Sequence, residues 1–188
     1  MPMPNVVQHS SETVEWYTPP EIIASARAVM GGIDLDPATC TAAQQYVKAH
    51  SCLTEEANGL NYRWVGKTFL NPPGGKAPEG SPTKSNAVLW WSKLAHEYMV
   101  GNVEQAIFIG FSIEILQATQ CLACDQPLDF PLCIPRERIR FIDHRTMKPA
   151  KMPGHANVIV FLPPRKDMEH AKHEFRREFF KYGRIIGA

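Results

Sequence analysis

Apolar and polar residues alternate along this chain in a way that predicts short buried strands joined by helices. Short segments with apolar or alternating apolar residues predict strands at 33–37, 49–53, 67–70, 105–111, 138–142 and 157–162, the last two as an antiparallel pair. Apolar residues three or four apart predict helices at 22–30, 41–48, 87–98 and 113–122. A last helix would place Met168, Ala171, Phe175, Phe179 and Tyr182 on one face. The alternation predicts an α/β fold with a mostly parallel sheet, an antiparallel late strand, and ligands beyond the carboxyl ends of the strands.

Turn-forming residues mark where these elements begin and end. Thr18-Pro19-Pro20-Glu21 predicts a helix start with Thr18 as its N-cap, and Gly31-Gly32 predicts the end of that helix. Residues 1–15 are polar without periodicity and predict a flexible arm, and the Gly- and Pro-rich residues 74–86 predict a mobile surface loop. We therefore expect a single domain over 16–188 that closes with a basic C-terminal helix at 165–188.

The net charge of only +1 hides an uneven distribution. Residues 1–60 carry two basic and seven acidic side chains, whereas residues 134–188 carry thirteen basic and six acidic ones. A basic end on a nearly neutral protein is typical of contact with a polyanion, although a solvated helix face has the same composition. No run is long and apolar enough to span a membrane, and five cysteines without a secretory signal predict a reduced cytoplasmic protein.

The tripeptide Asn71-Pro72-Pro73 follows directly on the predicted strand 67–70. The prolines fix φ and lack amide hydrogens, so the carbonyls here have no local partner, and a residue before proline is extended. A side-chain amide oxygen beside such a carbonyl can accept both hydrogens of an –NH2 group. Two acceptors help to localise the lone pair of an exocyclic aromatic amine for attack on an electrophilic methyl. A proline turn after a strand is the simpler interpretation of the tripeptide alone.

The tripeptide is part of an ordered set of motifs that resembles the phage-borne Dam-like DNA adenine-N6 methyltransferases. The set comprises Trp16-Tyr17-Thr18-Pro19, Asp34-Leu35-Asp36-Pro37-Ala38, Asn58-Gly59-Leu60 with Trp64, Phe69-Leu70-Asn71-Pro72-Pro73, Trp91 with Lys93 and Leu94, and the segments 106–111, 135–141 and 156–161. The resemblance implies a Rossmann-like class I methyltransferase fold. It also implies methyl transfer from S-adenosylmethionine to adenine N6 in double-stranded DNA, in a host cytoplasm if the gene is carried by a phage.

The resemblance further implies which residues bind the cofactor. They are Tyr17, Thr18, Pro19, Asp34, Asp36, Pro37, Ala38 and Asn58. Thr18 and Pro19 would lie against the methionine end, where a helix N-terminus favours a carboxylate. Asp34 and Asp36 would accept from the amino group, and Asp36 is preferred because it adjoins the proline turn. A turn cap is the alternative role for Asp36, and solvent exposure is the alternative for Asp34.

The sequence departs from the family pattern in two places. The turn 36–41 lacks the glycines that usually let the backbone approach the cofactor. Gly74 occupies the position of an aromatic residue that stacks on the target base, an interaction worth about 1–3 kcal/mol. Either another ring replaces it, with Trp90, Trp91 and Phe111 as candidates, or the glycine loop closes over the base.

An adenine in duplex DNA must be flipped out of the stack before its amine can react, at a cost of about a few kcal/mol. Arg136, Arg138 and Arg140 alternate in the sequence, so we expect them to share one face of a strand and to contact phosphates. Lys76 and Lys84 of the loop 74–86 are further candidates for DNA contact. Ordinary solvent exposure explains the alternating arginines equally well.

Two other functions fit parts of the sequence. Cys121, Cys124 and Cys133 with His144 or His155 offer four zinc ligands, which would make the chain a nucleic-acid-binding module without catalysis. Structural thiols are the interpretation that we favour, so no metal is expected. Asn-Pro-Pro motifs also serve the methylation of RNA adenine and of protein glutamine, but the basic C-terminal part favours DNA. The sequence indicates no oligomeric state.

Overall fold

The computed structural model describes residues 16–120, 125–151 and 154–188. Within these ranges the strands are β1 Trp16–Tyr17, β2 Leu35–Asp36, β3 Ser51–Cys52, β4 Gly66–Leu70, β5 Val103–Gly110, β6 Leu132–Pro135, β7 Ile142–Asp143, β8 Lys148–Pro149, β9 Val158–Leu162 and β10 Gly183–Ile186. The helices are α1 Pro20–Met30, α2 Thr41–Val47, α3 Asn86–Met99, α4 Ile115–Ala118 and α5 Met168–Phe179. The fold is α/β, as predicted.

Seven strands form one mixed sheet in the order β10-β6-β9-β5-β4-β2-β3. Strands β3, β2, β4 and β5 are parallel neighbours, while β9 is antiparallel to both β5 and β6, and β10 is antiparallel to β6. Two strands therefore run against the other five, rather than the single late strand of the prediction. The short strands β1, β7 and β8 form a separate antiparallel sheet.

Each face of the large sheet is covered by its own apolar cluster. One cluster packs α1 and α5 against side chains such as Phe69 and Ile107, and the other packs α3 against Leu70 and Phe108. Side chains alternate between the two faces along a strand. Leu70, the last residue of β4 before Asn71, packs in the cluster with α3.

The strand order reverses at β2. From β2 the chain passes through α2 to β3 on one side, and it then crosses to β4 on the other side of β2. Ligands of open α/β sheets usually bind beyond the carboxyl ends of the strands at such a reversal. The residues at these two strand ends are Asp36, which ends β2, and Asn71, which follows β4.

Most predicted elements are confirmed, but the start of α1 is different. Pro19 is the N-cap residue and α1 begins at Pro20, so Thr18 is not the cap. Gly31 ends the helix as predicted, since its φ of 68° lies in the left-handed region that favours glycine. The predicted arm 1–15 lies outside the described residues.

The predicted strand 138–142 and its pairing with 157–162 are wrong. Only Ile142 of this segment lies in a strand, β7, which belongs to the small sheet. The amide of Ile139 instead donates to the side-chain oxygen of Asn157 at 2.7 Å, so a side chain takes the place of a neighbouring strand. The antiparallel partners of β9 are β5 and β6.

The C-terminal segment 165–188 is not a single helix, because α5 ends at Phe179 and β10 follows it. Gly183 begins β10, and a Cβ there would lie 2.0 Å from the Ile134 carbonyl oxygen, so the close approach of β10 to β6 requires glycine. Strand β6, which we did not predict, begins directly after Pro131 and ends at Pro135. The predicted helix 113–122 is shorter as well, and its described part contains α4.

Candidate active site at the carboxyl edge of the sheet

Asn71 lies directly beyond β4 with a half-buried side chain. Its Nδ2 donates to the backbone carbonyl oxygen of Trp16 at 2.7 Å. This bond turns Oδ1 the other way, and no donor to Oδ1 occurs among the described residues. The carbonyl oxygen of Pro72 likewise accepts no hydrogen bond within 16–120, 125–151 and 154–188. Two unused acceptors therefore lie on adjacent residues, as the tripeptide predicts.

The carbonyl that holds Asn71 belongs to β1, which connects three separate parts of the sequence. Trp16 pairs with Asp143 of β7 in the small sheet. The hydroxyl of Tyr17 accepts from the Cys40 thiol at 3.3 Å, at the residue before α2. Strand β1 therefore contacts the segment after β4 and the turn after β2, and it brings Tyr17 to the edge of the sheet.

Asp36 is a buried carboxyl with only neutral partners among the described residues. Its side chain accepts from Gln44 Nε2 at 2.8 Å and from the Ala38 amide at 3.4 Å. Burial raises the pKa of Asp36 from 3.8 to about 7, although hydrogen bonds from Thr39, Ala38 and Gln44 lower it in part. The bond to Ala38 is the predicted turn cap. The raised pKa indicates that the site would gain from a cationic partner.

Thr18 is a second buried polar residue at this edge whose hydrogen bonding is incomplete. It is 3% exposed, and its Oγ1 has no hydrogen-bond partner within the described ranges. Pro19, also buried, is the N-cap of α1 and accepts from the amides of Ile22 and Ile23. An unpaired buried hydroxyl beside a helix start suits the anionic group of a ligand.

The turn after β2 packs tightly against the segment that contains Asn58. Gly59 touches this turn so closely that a Cβ would lie 2.0 Å from the Pro37 carbonyl oxygen. The Trp64 Nε1 donates to the Gly59 carbonyl at 2.8 Å. Asn58 itself is exposed, has a φ of 53° and accepts from the Leu60 amide at 3.3 Å. The structure thus brings the segment 58–60 to Pro37, and the Asn58 side chain caps its turn.

Asp34 lies before β2 and has a different role from Asp36. Its carboxylate accepts from the Lys67 amide at 2.9 Å, and its own amide donates to the Lys67 carbonyl. The His50 imidazole is 4.0 Å away. These contacts join the beginnings of β2 and β4, whereas Asp36 lies at the carboxyl end of β2. Asp34 therefore falls outside the group of residues gathered around Asn71.

Two of the three candidate rings belong to the core. Trp90 is 6% exposed and stacks on Trp64 at 5.7 Å, and Trp91 is fully buried against Phe108. Phe111 differs from them because it is only half-buried, just beyond the carboxyl end of β5. Its ring centroid lies 6.5 Å from that of Trp16, 5.2 Å from that of Phe141 and 5.3 Å from that of His155. This aromatic group at the same edge includes a residue of β1.

Three residues that sequence reasoning missed position the site. Gln44 holds the Asp36 carboxyl, and its Oε1 accepts from the Ala49 amide at 3.0 Å. Asn157 donates to the Phe111 carbonyl at 2.6 Å while it accepts from Ile139. Trp16 acts through its backbone carbonyl, which no side-chain motif reveals. A buried polar residue just before an apolar strand, as at Asn157, is a signal that could have been recognised.

Arg136, Arg138 and Arg140 line a groove of about 380 Å³ between the start of α1 and the corner after α5. We name it the arginine groove; its lining also includes Pro19 and Tyr182. The three arginines are exposed and the intervening Ile139 is buried, so they point outward although the strand is absent. Asn71 lines neither this groove nor a larger one of about 490 Å³ between α1 and α2.

Lys76 and Lys84 are both exposed and lie near each other at the neck of the loop 74–86. Lys76 forms an isolated bridge with Ser85, and the Ala77 amide donates to the Lys84 carbonyl at 3.0 Å. Asn86 donates to the Gly74 carbonyl at 2.9 Å and ties the start of the loop to α3. The two lysines therefore flank the segment that follows Asn71-Pro72-Pro73.

The candidate zinc ligands fall only partly within the described residues. Cys121 and Cys124 lie outside them, and no group of three metal-binding side chains occurs within the ranges that are described. Cys133 is buried, its thiol is 3.7 Å from the Phe179 carbonyl, and burial raises its pKa to about 12, partly offset by Arg136. A thiol that resists deprotonation at neutral pH suits packing better than metal binding.

Searches of family models, of curated proteins and of solved structures found no match to this chain. None of the described helices is long and apolar enough to cross a membrane.

Proposed function

We propose that this protein is an S-adenosylmethionine-dependent methyltransferase of Rossmann-like fold that methylates the exocyclic amine of adenine in DNA. One observation carries the proposal. Asn71 lies at the carboxyl edge of the sheet, its Nδ2 donates to Trp16, and its Oδ1 is left as an acceptor on the residue next to Pro72, whose carbonyl is also without a donor among the described residues. Two acceptors on neighbouring residues match the two hydrogens of an aromatic –NH2 group.

The residues around Asp36 fit the cofactor. Its ammonium would meet the buried Asp36 carboxyl, whose raised pKa reflects the cost of burial without a cation. Its carboxylate would meet the start of α1, where the buried Thr18 hydroxyl has no partner within the described residues. When bound there, S-adenosylmethionine supplies an electrophilic methyl group.

The residues of the protein act on the amine rather than on the methyl group. The Asn71 Oδ1 and the Pro72 carbonyl accept the two N6 hydrogens, which draws the nitrogen lone pair out of the ring and orients it. They also stabilise the positive charge that develops on nitrogen in the transition state. The surplus N6 proton is then released to water. Because both acceptors are neutral, this arrangement works without a titrating base.

The strand order supports the proposal independently. Ligands of open α/β sheets lie where the order reverses, and here Asp36 and Asn71 occupy the carboxyl ends of the two strands at that reversal. The exposed Arg136, Arg138 and Arg140 at the same edge support a nucleic-acid substrate, since phosphate contacts supply most affinity that is independent of sequence.

Transfer of a tritiated methyl group to duplex DNA, RNA and a protein extract tests the proposal. We expect label in DNA, released on hydrolysis as N6-methyladenine. Label in RNA adenine or in protein glutamine would support methyl transfer to an –NH2 group but would show that the substrate is not DNA. No transfer to any of the three, with cofactor binding verified by calorimetry, would overturn the proposed reaction.

A further inference from the structure

The arginine groove carries an excess of positive charge. Arg136, Arg138, Arg140 and Lys181 line it, whereas its acidic lining residues are Glu21 and Glu137. Arg136 donates to the Phe180 carbonyl at 3.3 Å, which anchors its guanidinium at the corner after α5. The balance of four cations and two acids favours an anionic ligand.

The same groove contains an aromatic ring held in place and an apolar floor. The Tyr182 hydroxyl donates to the Glu21 carbonyl at 2.9 Å and lies within hydrogen-bond distance of Ser25 Oγ at 3.2 Å. Its ring is half-buried, and the Lys181 Nζ lies 5.2 Å from the ring centroid. Ile139 and Ile159 beside it are buried. The groove is open to solvent and has a volume of about 380 Å³.

We propose that the arginine groove binds an unpaired nucleotide that flanks the target base. Proteins that bind single strands combine a positive groove along the backbone with aromatic rings on which bases stack. Arg136 and Arg140 would meet phosphates, and Tyr182 would meet the base. Duplex DNA keeps its bases stacked inside the helix, so it would use the arginines but leave the ring and the apolar floor without a partner.

Two short segments of the chain link the lining of the groove to residues of the candidate active site. Pro19 lines the groove, and three residues earlier Trp16 holds Asn71. On the other wall, Arg140 lines the groove and the next residue, Phe141, packs on Phe111 at 5.2 Å. The inference rests on the proposed function to this extent: a strand with its adenine at Asn71 would continue into the groove, and the duplex would be opened by more than one base.

Binding of the full chain to a dye-labelled single strand of about ten nucleotides, without a methyl donor, tests the inference. We expect tighter binding to this strand than to the same sequence as duplex. The double variant Arg136→Gln with Arg140→Gln should bind at least about tenfold more weakly, with a salt slope smaller by about 0.7 for each phosphate that it no longer neutralises. Lys166→Gln removes an exposed charge that does not line the groove and serves as the control.

A second measurement avoids the risk that a Tyr182 truncation disturbs folding. A single strand with 5-iodouracil, irradiated in complex with the unaltered protein, should crosslink to Tyr182. The inference would be overturned if crosslinks formed only at other residues, or if the protein bound duplex as tightly as the single strand. It would also be overturned if Lys166→Gln lost as much affinity as the double variant, or if poly-glutamate at matched charge displaced the strand. Methyl transfer without the crosslink would contradict only the proposed role of the groove. The crosslink without methyl transfer would contradict only the proposed reaction.

Discussion

Trp16 and Asn71 are 55 positions apart and are joined by a 2.7 Å hydrogen bond from the Asn71 Nδ2 to the Trp16 carbonyl oxygen. An amide group can present either a donor or an acceptor on each side, and this bond selects one of the two orientations. One Nδ2 hydrogen is bound by the Trp16 carbonyl, so Oδ1 is directed away from Trp16 and remains available as an acceptor. The backbone of β1 thereby makes Asn71 an acceptor, which is the property that binding of an –NH2 group requires.

Asn71→Ala should abolish methyl transfer and leave cofactor affinity within a few fold. The substitution removes an acceptor for the amine but none of the groups expected to hold the cofactor. Single-turnover transfer and titration calorimetry measure the two effects separately. Asn61→Ala, which removes an exposed amide elsewhere, should behave like the unaltered protein. Substantial turnover in Asn71→Ala would contradict the proposed role of Asn71 in binding the target amine.

Asp36→Asn should weaken cofactor binding and stabilise the free protein at the same time. A charge-assisted hydrogen bond is worth about 1.5–3 kcal/mol, so the dissociation constant should rise by about 10- to 150-fold. The free protein should gain stability because the folded pKa of Asp36, about 7, lies above the unfolded value of 3.8. A purely structural turn cap would give a loss of stability and no change in affinity.

The same pKa shift predicts a dependence on pH. Between about pH 4 and 7 the folded state holds a proton that the unfolded state has released, so stability falls as pH rises and the full cost is present above pH 7. The difference in melting temperature between Asp36→Asn and the unaltered protein should therefore be largest above pH 7 and vanish near pH 4. Cofactor affinity should rise through the same window, because the ammonium needs the ionised carboxyl.

Gly59→Ala should destabilise the protein and weaken cofactor binding. Its Cβ would meet the Pro37 carbonyl oxygen at 2.0 Å, so either the turn after β2 or the segment 58–60 must move. Gly74→Ala is the matched control, because a Cβ there has no atom within 4 Å. Thermal unfolding with and without S-adenosylmethionine measures both effects, and equal behaviour of the two variants would contradict the prediction.

Gly74→Phe should strengthen binding of the target strand. Gly74 follows the tripeptide, has no positive φ and has open space where a side chain would begin. A ring there would supply base stacking worth about 1–3 kcal/mol, or about 5- to 150-fold in affinity. Anisotropy with an adenine-containing oligonucleotide measures the gain. Cofactor affinity should not change. A loss of affinity for both the oligonucleotide and the cofactor would indicate that the substitution displaces the loop.

Glu97→Gln should lower the free energy of unfolding by about 1–3 kcal/mol. Glu97 is 5% exposed and accepts from Lys93 at 2.7 Å and from Asn102 at 2.6 Å. Burial alone would raise its pKa, but these two partners together hold it below the usual value. The stabilisation is therefore present above the unfolded pKa and disappears as pH falls through the lower folded value. Urea unfolding at neutral and acidic pH measures the effect, with the exposed Glu104→Gln as control.

The central strands could be predicted from the sequence because local runs of apolar residues indicate that they are buried. Phe69 and Leu70 in β4 and Ile107 to Ile109 in β5 are buried, because both faces of the sheet are covered. Asn71 followed from the same logic, since the prolines after it end the strand at a defined residue. Its position at the carboxyl edge is therefore a local property of the sequence.

The features that the sequence did not reveal depend on distant partners. The alternation of Arg138, Ile139 and Arg140 is typical of a strand. However, the Ile139 amide donates to the Asn157 side chain and not to a neighbouring strand. Gly183 resembles a helix end, whereas its lack of a side chain is what admits β10 beside β6. The core roles of Trp90 and Trp91 likewise depend on Trp64 and Phe108, which are neighbours only in the folded chain.

The pairing of β1 with β7 has a consequence for the order of events during synthesis. Trp16 is made before Asn71, but the strand that holds it in place contains Asp143, which is made much later. At ribosomal rates the interval between Asn71 and Asp143 is on the order of ten seconds. A nascent chain thus contains the whole tripeptide before the strand that pairs with β1 has been made, so the final orientation of the Asn71 amide depends on a late part of the chain.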